Sequence, residues 1–196
     1  MNYKVGYFVG SLSAVSINRI LSKALMKLAP TDLVFTEIPI KDLPLYNRDF
    51  DREYPPECRA LKEAIAEVNA VLFISPEYNR SIPGPLKNAI DWASRPYGQN
   101  SFSRKPSGII GASTGRIGTA MMQSDLRSVL AFCDSPQMNS PEAYIHFTPE
   151  VFGEDGEVGD EGTKAFLTGY MEQFRAFIIR VMTVVPQHVP ADGDRS

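Results

Sequence analysis

In Val5-Gly6-Tyr7-Phe8-Val9-Gly10-Ser11-Leu12-Ser13-Ala14-Val15-Ser16-Ile17-Asn18-Arg19-Ile20-Leu21, a short apolar run gives way to a loop of Gly and Ser, and then to apolar residues recurring at helical steps. Ile17, Ile20, Leu21, Ala24, Leu25 and Leu28 fall at three- and four-residue spacing and form one buried stripe. Ser16 stands where an N-cap belongs. A strand, a tight loop and a helix therefore follow one another.

The same alternation continues along the chain. Apolar runs at 33–38, 70–75 and 108–112 are separated by stretches with helical spacing. A second helix runs from about Pro56 to Val68 through Leu61 and Ile65, with Pro55 and Pro56 marking its start. A third begins near Pro85 and ends near Trp92; a fourth carries Ala120, Met121, Leu126, Val129 and Leu130. The last runs over about 163–182 through Phe166, Tyr170, Phe174, Phe177 and Ile178, and Tyr144-Ile145-His146-Phe147 reads as a fifth strand. Crossover connections of this length join parallel strands, and apolar runs without alternation suit strands covered on both faces. The expectation is an α/β fold with a five-stranded doubly wound parallel sheet. Periodicity does not distinguish the order 2-1-3-4-5 from the other doubly wound order.

With 196 residues and 43% apolar content, one hydrophobic core is comfortable and a second is hard to build. A single domain over 1–185 with a loosely held tail at 186–196 is expected, and the Gly-, Asp- and Glu-rich segment 153–162 reads as an exposed loop. A formal charge of −3, from 20 basic and 23 acidic residues without long blocks, gives no footprint for nucleic acid or an anionic membrane. No run approaches the ~18 apolar residues of a membrane span, and the first residues do not read as a secretory signal. A cytoplasmic protein acting on small molecules is expected. Cys58 and Cys133 form no CxxC pair and make a weak disulfide framework, which agrees with a reducing compartment and argues against cysteine-ligated metal.

In open parallel sheets ligands collect beyond the carboxyl ends of the strands. The loop after the first run, residues 10–18, suits a phosphate, because backbone N–H groups at a helix start point outward and the hydroxyls of Ser11, Ser13 and Ser16 add donors. Helix capping explains much of the same composition. It is no Walker A loop. The loop after the third run, Ser75-Pro76-Glu77-Tyr78-Asn79-Arg80-Ser81-Ile82-Pro83-Gly84, suits a rigid turn whose backbone edges a flat ring, or an ordinary turn with Tyr78 on the surface. Leu86 and Trp92 after it read as core or subunit-contact residues. The loop after the fourth, Gly111-Ala112-Ser113-Thr114-Gly115-Arg116-Ile117-Gly118, is not spaced as GxGxxG and follows the wrong strand for a dinucleotide fingerprint. It is either a close-approach loop or a Gly-rich turn with Arg116 in solvent. His146 and His188 have no matching ligand pair and are assigned no metal. Met121-Met122 reads as core.

Taken together, the GS-L-x-x-x-S-x-N loop, Leu43-Pro44-Leu45-Tyr46-Asn47-Arg48-Asp49, and residues 76–84 continuing through Leu86-Lys87-Asn88-Ala89-Ile90-Asp91-Trp92 closely resemble the NADPH-dependent FMN reductase family, most of all its bacterial quinone and chromate reductases. The resemblance spans about residues 3–180. It implies a flavodoxin-like fold with order 2-1-3-4-5, noncovalent FMN, NADPH or NADH as electron donor, and a homodimer or homotetramer. It also implies that Ser11, Ser16, Ile17 and Asn18 hold the FMN phosphate. Pro76, Glu77, Tyr78 and Asn79 would run along the isoalloxazine, with Ser113 and Gly115 at its other edge. Ser13 departs from the family, many members having an arginine there that helps neutralise the phosphate; Arg19 or a partner subunit are the candidates to compensate. Thr119 stands where a glycine often follows Gly118. The residues around Tyr46 to Tyr54 are candidates to close over a neighbour's flavin. Because the flavin carries the chemistry, no catalytic side chain is assigned. The acceptors implied are quinones first, then free flavin, azo compounds and chromate. The competing readings are a flavodoxin-like single-electron carrier and a binding protein of the same fold without FMN.

Overall fold

Five strands, β1 (Tyr3–Val9), β2 (Leu33–Glu37), β3 (Ala70–Ile74), β4 (Ser107–Ser113) and β5 (Tyr144–His146), pair in parallel in the order β2-β1-β3-β4-β5. That order, which periodicity left open, is the flavodoxin-like one implied by the resemblance. The computed structural model describes residues 2–185, so the expected tail at 186–196, with His188, lies outside the described residues. The helices are α1 (Ile17–Leu28), α2 (Pro56–Ala66), α3 (Gly84–Ala93), α4 (Ala120–Phe132) and α5 (Glu161–Val184).

The centre of the sheet shows why its strands are continuous apolar runs. Every β3 residue is fully buried. Ala70, Leu72 and Ile74 enter one core with Leu21 and Leu25 of α1 and Tyr170, Phe174 and Ile178 of α5. Val71 and Phe73 enter the opposite core with Leu61 and Ile65 of α2, Leu86, Ile90 and Trp92 of α3, and Leu126 of α4. A strand that feeds two cores has no face left for polar residues. The Tyr170 hydroxyl, carried into the first core, is satisfied: it donates to the Ile109 carbonyl at 2.8 Å.

Two sequence expectations are corrected. Met122 is buried, but Met121 is 48% exposed, since consecutive helical residues point about 100° apart and cannot share one face. Phe166 likewise turns outward, its place in the core taken by Leu167. The segment 153–162 is mostly exposed, as expected, and is fastened at a few points. Phe152 and Val158 pair across it and are both buried, while Lys27 of α1 binds Asp155 and Glu157 at 3.2 and 2.6 Å.

The long connection between β2 and α2 is bound to α3. Trp92 Nε1 and Asn88 Nδ2 both donate to the Pro44 carbonyl, at 2.7 and 2.9 Å, and Asn88 Oδ1 accepts from Tyr46 N–H at 2.9 Å. Tyr46 and Tyr54 stand edge-on to the Trp92 ring with centroids 5.1 and 5.0 Å away. The half-buried Lys62 ammonium closes the far end of α3 by donating to the carbonyls of Ala93, Arg95 and Gln99. The Leu43 to Asp49 motif is therefore bound to α3 of its own chain, with Trp92 as a core residue at its centre.

Candidate active site

β1, β3 and β4 end at the same edge of the sheet, and the loops that leave them enclose a cleft of about 260 Å³. It is lined by Ser11, Ser13, Ser16, Ile17 and Asn18 from the first loop, by Pro76, Glu77 and Tyr78 from the second, and by Ser113 from the third. Of the residues singled out in the sequence, Asn79 and Gly115 alone do not line it.

The first loop leaves β1 at Gly10, whose N–H donates to the Ile74 carbonyl at 2.9 Å. A Cβ here would run into the Ser75 side chain, so only glycine lets β1 and β3 diverge this closely. Two hydroxyls then shape the turn: Ser11 Oγ accepts from Ser13 N–H and Ser13 Oγ from Val15 N–H, both at 3.3 Å. Ser16 occupies the N-cap position as expected, yet its hydroxyl makes no capping bond. Ser16 is only 7% exposed, and the Ser16 carbonyl accepts from Arg19 and Ile20 N–H. The N–H groups of Ile17 and Asn18 have no acceptor among the described residues. The open hydroxyl of a largely buried serine and two helix-start amides thus share one corner of the cleft, which is the arrangement that holds an anion.

Asn18 contributes its backbone to that corner and its side chain elsewhere. Its amide group donates to the Ala112 carbonyl at 3.0 Å and accepts from Ala112 N–H at 2.8 Å, both bonds buried. The side chain clamps the start of α1 to the end of β4. Arg19 points away from the cleft as well. It grips Glu37 at 2.9 Å, a bond that raises the guanidinium above its ordinary value, and the Tyr7 hydroxyl donates to the same carboxylate.

The second loop turns tightly at Asn79 and Arg80, both at positive φ (51° and 65°), with Tyr78 and Ser81 exchanging backbone bonds. This explains why Asn79 sits at the tip rather than in the cleft. The loop is fastened to α4 by side chains. Glu77 Oε2 accepts from the N–H of Met121 and Met122 at 3.0 and 3.1 Å, supplying the cap that Thr119 does not, and the Ser81 hydroxyl donates to Asp125 at 2.6 Å. The Glu77 side chain is 9% exposed, with Arg80 at 3.3 Å from its other oxygen. Tyr78 projects 49% exposed at the cleft wall.

The third loop is ordered by Ser113, whose hydroxyl accepts from Gly115 N–H at 3.1 Å, and by a turn that closes at Gly118. Gly118 has φ +62° and abuts Tyr144, so a side chain there would be strained. Arg116 lies in solvent. His146 Nε2 lies 3.1 Å from the Thr114 carbonyl, a structural hydrogen bond at the loop's flank. Val15, Ala112 and Thr114 also line the cleft and were not singled out. Ala112 and Thr114 flank Ser113 and were open to inference from that adjacency; Val15, 87% exposed, carries no chemical signal.

The chain matches the family model described as NADPH-dependent FMN reductase over residues 3–150. It is 45% identical over 178 residues to a 2-hydroxy-1,4-benzoquinone reductase of Burkholderia sp., covering 91% of this chain and 97% of the relative. It is 44% identical to a quinone reductase of Pseudomonas putida, covering 90% and 95%. Among solved structures it is similar to the flavoenzyme NAD(P)H:(acceptor) oxidoreductase FerB of Paracoccus denitrificans, with a TM-score of 0.88, 46% identity, and coverage of 91% and 98%.

Proposed function

Since the chain belongs to the NADPH-dependent FMN reductase family, we propose that it is an FMN-dependent NAD(P)H oxidoreductase that reduces quinones, with free flavin, azo compounds and chromate as further small acceptors. The observation that carries this reading is the corner made by the unpartnered Ser16 hydroxyl and the open N–H groups of Ile17 and Asn18. A terminal phosphate matches that corner, and a flat ring matches the wall made by Pro76, Glu77 and Tyr78. When bound, FMN takes up a hydride from the nicotinamide and delivers reducing equivalents to the acceptor.

The chain's own work is binding and orientation. Ser11, Ser13, Ser16, Ile17 and Asn18 hold the phosphate end, with Asn18 acting through its backbone. Pro76, Glu77, Tyr78 and Asn79 form the loop along the ring, and Ser113 and Gly115 order the loop at its other edge. Glu77 acts by fixing its loop to α4, which keeps the ring wall rigid. No side chain has to give or take a proton for hydride transfer, so no catalytic residue is named. Donor and acceptor stacking in turn on the same flavin face would give ping-pong kinetics. We place the enzyme in the cytoplasm as a homodimer or homotetramer; no described helix is long and apolar enough to cross a membrane.

The deciding experiment is anaerobic stopped-flow of the FMN-loaded protein, following flavin absorbance after mixing with NADPH or NADH and then with a benzoquinone. Rapid bleaching followed by quinone-driven recovery is expected. FMN that binds and stays oxidised would replace this reading with that of a single-electron carrier, and failure to take up FMN with that of a binding protein.

A further inference from the structure

Among the described residues, no cation lines the anion corner of the cleft. The lining contains one ionised side chain, Glu77, and its carboxylate is occupied by the start of α4. Arg19, the basic residue adjacent to the corner in sequence, is turned onto Glu37. Lys23 and Lys27, further along α1, are bound by the segment 153–162: Lys23 donates to the Glu154 carbonyl at 2.9 Å and Lys27 pairs with Asp155 and Glu157. What faces the corner is neutral. Ser16 is 93% buried by its 7% exposure, lines the cleft, and its hydroxyl has no partner there. The N–H groups of Ile17 and Asn18 stand open beside it. The start of α4, after the third loop, is already closed by Glu77.

We infer that this chain holds the flavin phosphate with neutral donors alone, and that Ser13, exposed at the rim of the corner, is the position that sets this property. The inference rests on the FMN reading above. Ion pairs near a surface are screened over ~8 Å at physiological salt, whereas short hydrogen bonds to amides and hydroxyls are screened far less. FMN affinity in this protein is therefore nearly independent of ionic strength. An arginine introduced at 13 would convert the site to a salt-sensitive one. Because Ser13 is exposed and its hydroxyl makes one 3.3 Å bond to Val15 N–H, the replacement leaves the core untouched.

The test is flavin-fluorescence titration of the full-length apoprotein with FMN and with riboflavin, at 50 and 500 mM NaCl, for the parent, Ser13→Arg and Ser16→Ala. The parent is expected to bind FMN with a Kd that moves less than threefold between the two salts. Ser16→Ala is expected to weaken FMN about tenfold and leave riboflavin unchanged, one charge-assisted hydrogen bond being worth about that factor. Ser13→Arg is expected to tighten FMN about tenfold at low salt, to lose most of that gain at 500 mM, and to leave riboflavin unchanged. A parent Kd that weakens threefold or more with salt means that a cation engages the phosphate, and overturns the inference. Equal affinity of the parent for FMN and riboflavin, or no response of FMN to either substitution, overturns it while leaving a flavin site in place. Binding of neither flavin removes the FMN reading and this inference together.

Discussion

Replacing Glu77 by alanine removes a cap that one loop lends to the helix of another. Glu77 Oε2 accepts from Met121 and Met122 N–H at 3.0 and 3.1 Å, and its side chain is 9% exposed. Met121 is half exposed, so water replaces the lost acceptor at its amide; Met122 is fully buried, and its amide is left without a partner. An unsatisfied buried donor costs ~1–3 kcal/mol and a lost helix cap ~1 kcal/mol, which together give ~2–4 kcal/mol. The pair with Arg80, which is 66% exposed, adds little. For a chain of this size the melting temperature falls by ~5–10 °C. Glu77→Gln keeps an acceptor at the helix start but loses the charge, worth ~1 kcal/mol and ~2–4 °C. Thermal unfolding of the apoprotein, followed by far-ultraviolet circular dichroism, separates the three proteins. A Glu77→Ala protein melting within 1 °C of the parent, or a Glu77→Gln protein melting as low as the alanine variant, would refute the capping argument.

Asn18→Ala strips both bonds from the Ala112 peptide inside the protein, costing ~2–4 kcal/mol and disordering the start of α1, which urea unfolding and amide exchange at Ile17 to Arg19 would read out. Exchange rates unchanged at those amides would sink the clamp. Burial pushes the Lys105 ammonium, which donates to the Val68 carbonyl, down to about 8. Between that value and its ordinary one near 10.5 the unfolded chain holds a proton that the folded chain has released, so this residue's contribution to stability rises with pH across the window. The difference in unfolding free energy between the parent and Lys105→Met should therefore shift toward the parent, by on the order of 2–3 kcal/mol, from pH 7.5 to pH 10.5. Parallel pH profiles of the two would contradict it.

What the sequence made legible was what short-range chemistry controls. The α1 stripe of Leu21, Ala24 and Leu25, the doubly buried β3 and the placement of the loops at one sheet edge all follow from patterns a few residues long. The first loop could be read because helix-start donors and serines lie next to one another in the chain. The strand order needed the family resemblance, because the same elements serve more than one winding. Other features depend on residues far apart in sequence. Glu77 reads locally as part of a ring-edging loop, and nothing in residues 75–84 announces that its carboxylate meets α4 more than forty positions later. Arg19 reads as a spare cation beside a phosphate site until Glu37 of β2 is brought alongside it. Met121 and Phe166 look like core because periodicity gives the stripe but not its edges.

The clamp between Asn18 and Ala112 spans 94 positions. During synthesis, β1 and the residues of α1 leave the ribosome early, but the peptide that fixes the first turn of that helix emerges only with β4. Until then the Ser16, Ile17 and Asn18 corner has its residues without their geometry. A chain ending before β4 lacks the contact that ties the first turn of α1 to the middle of the sheet.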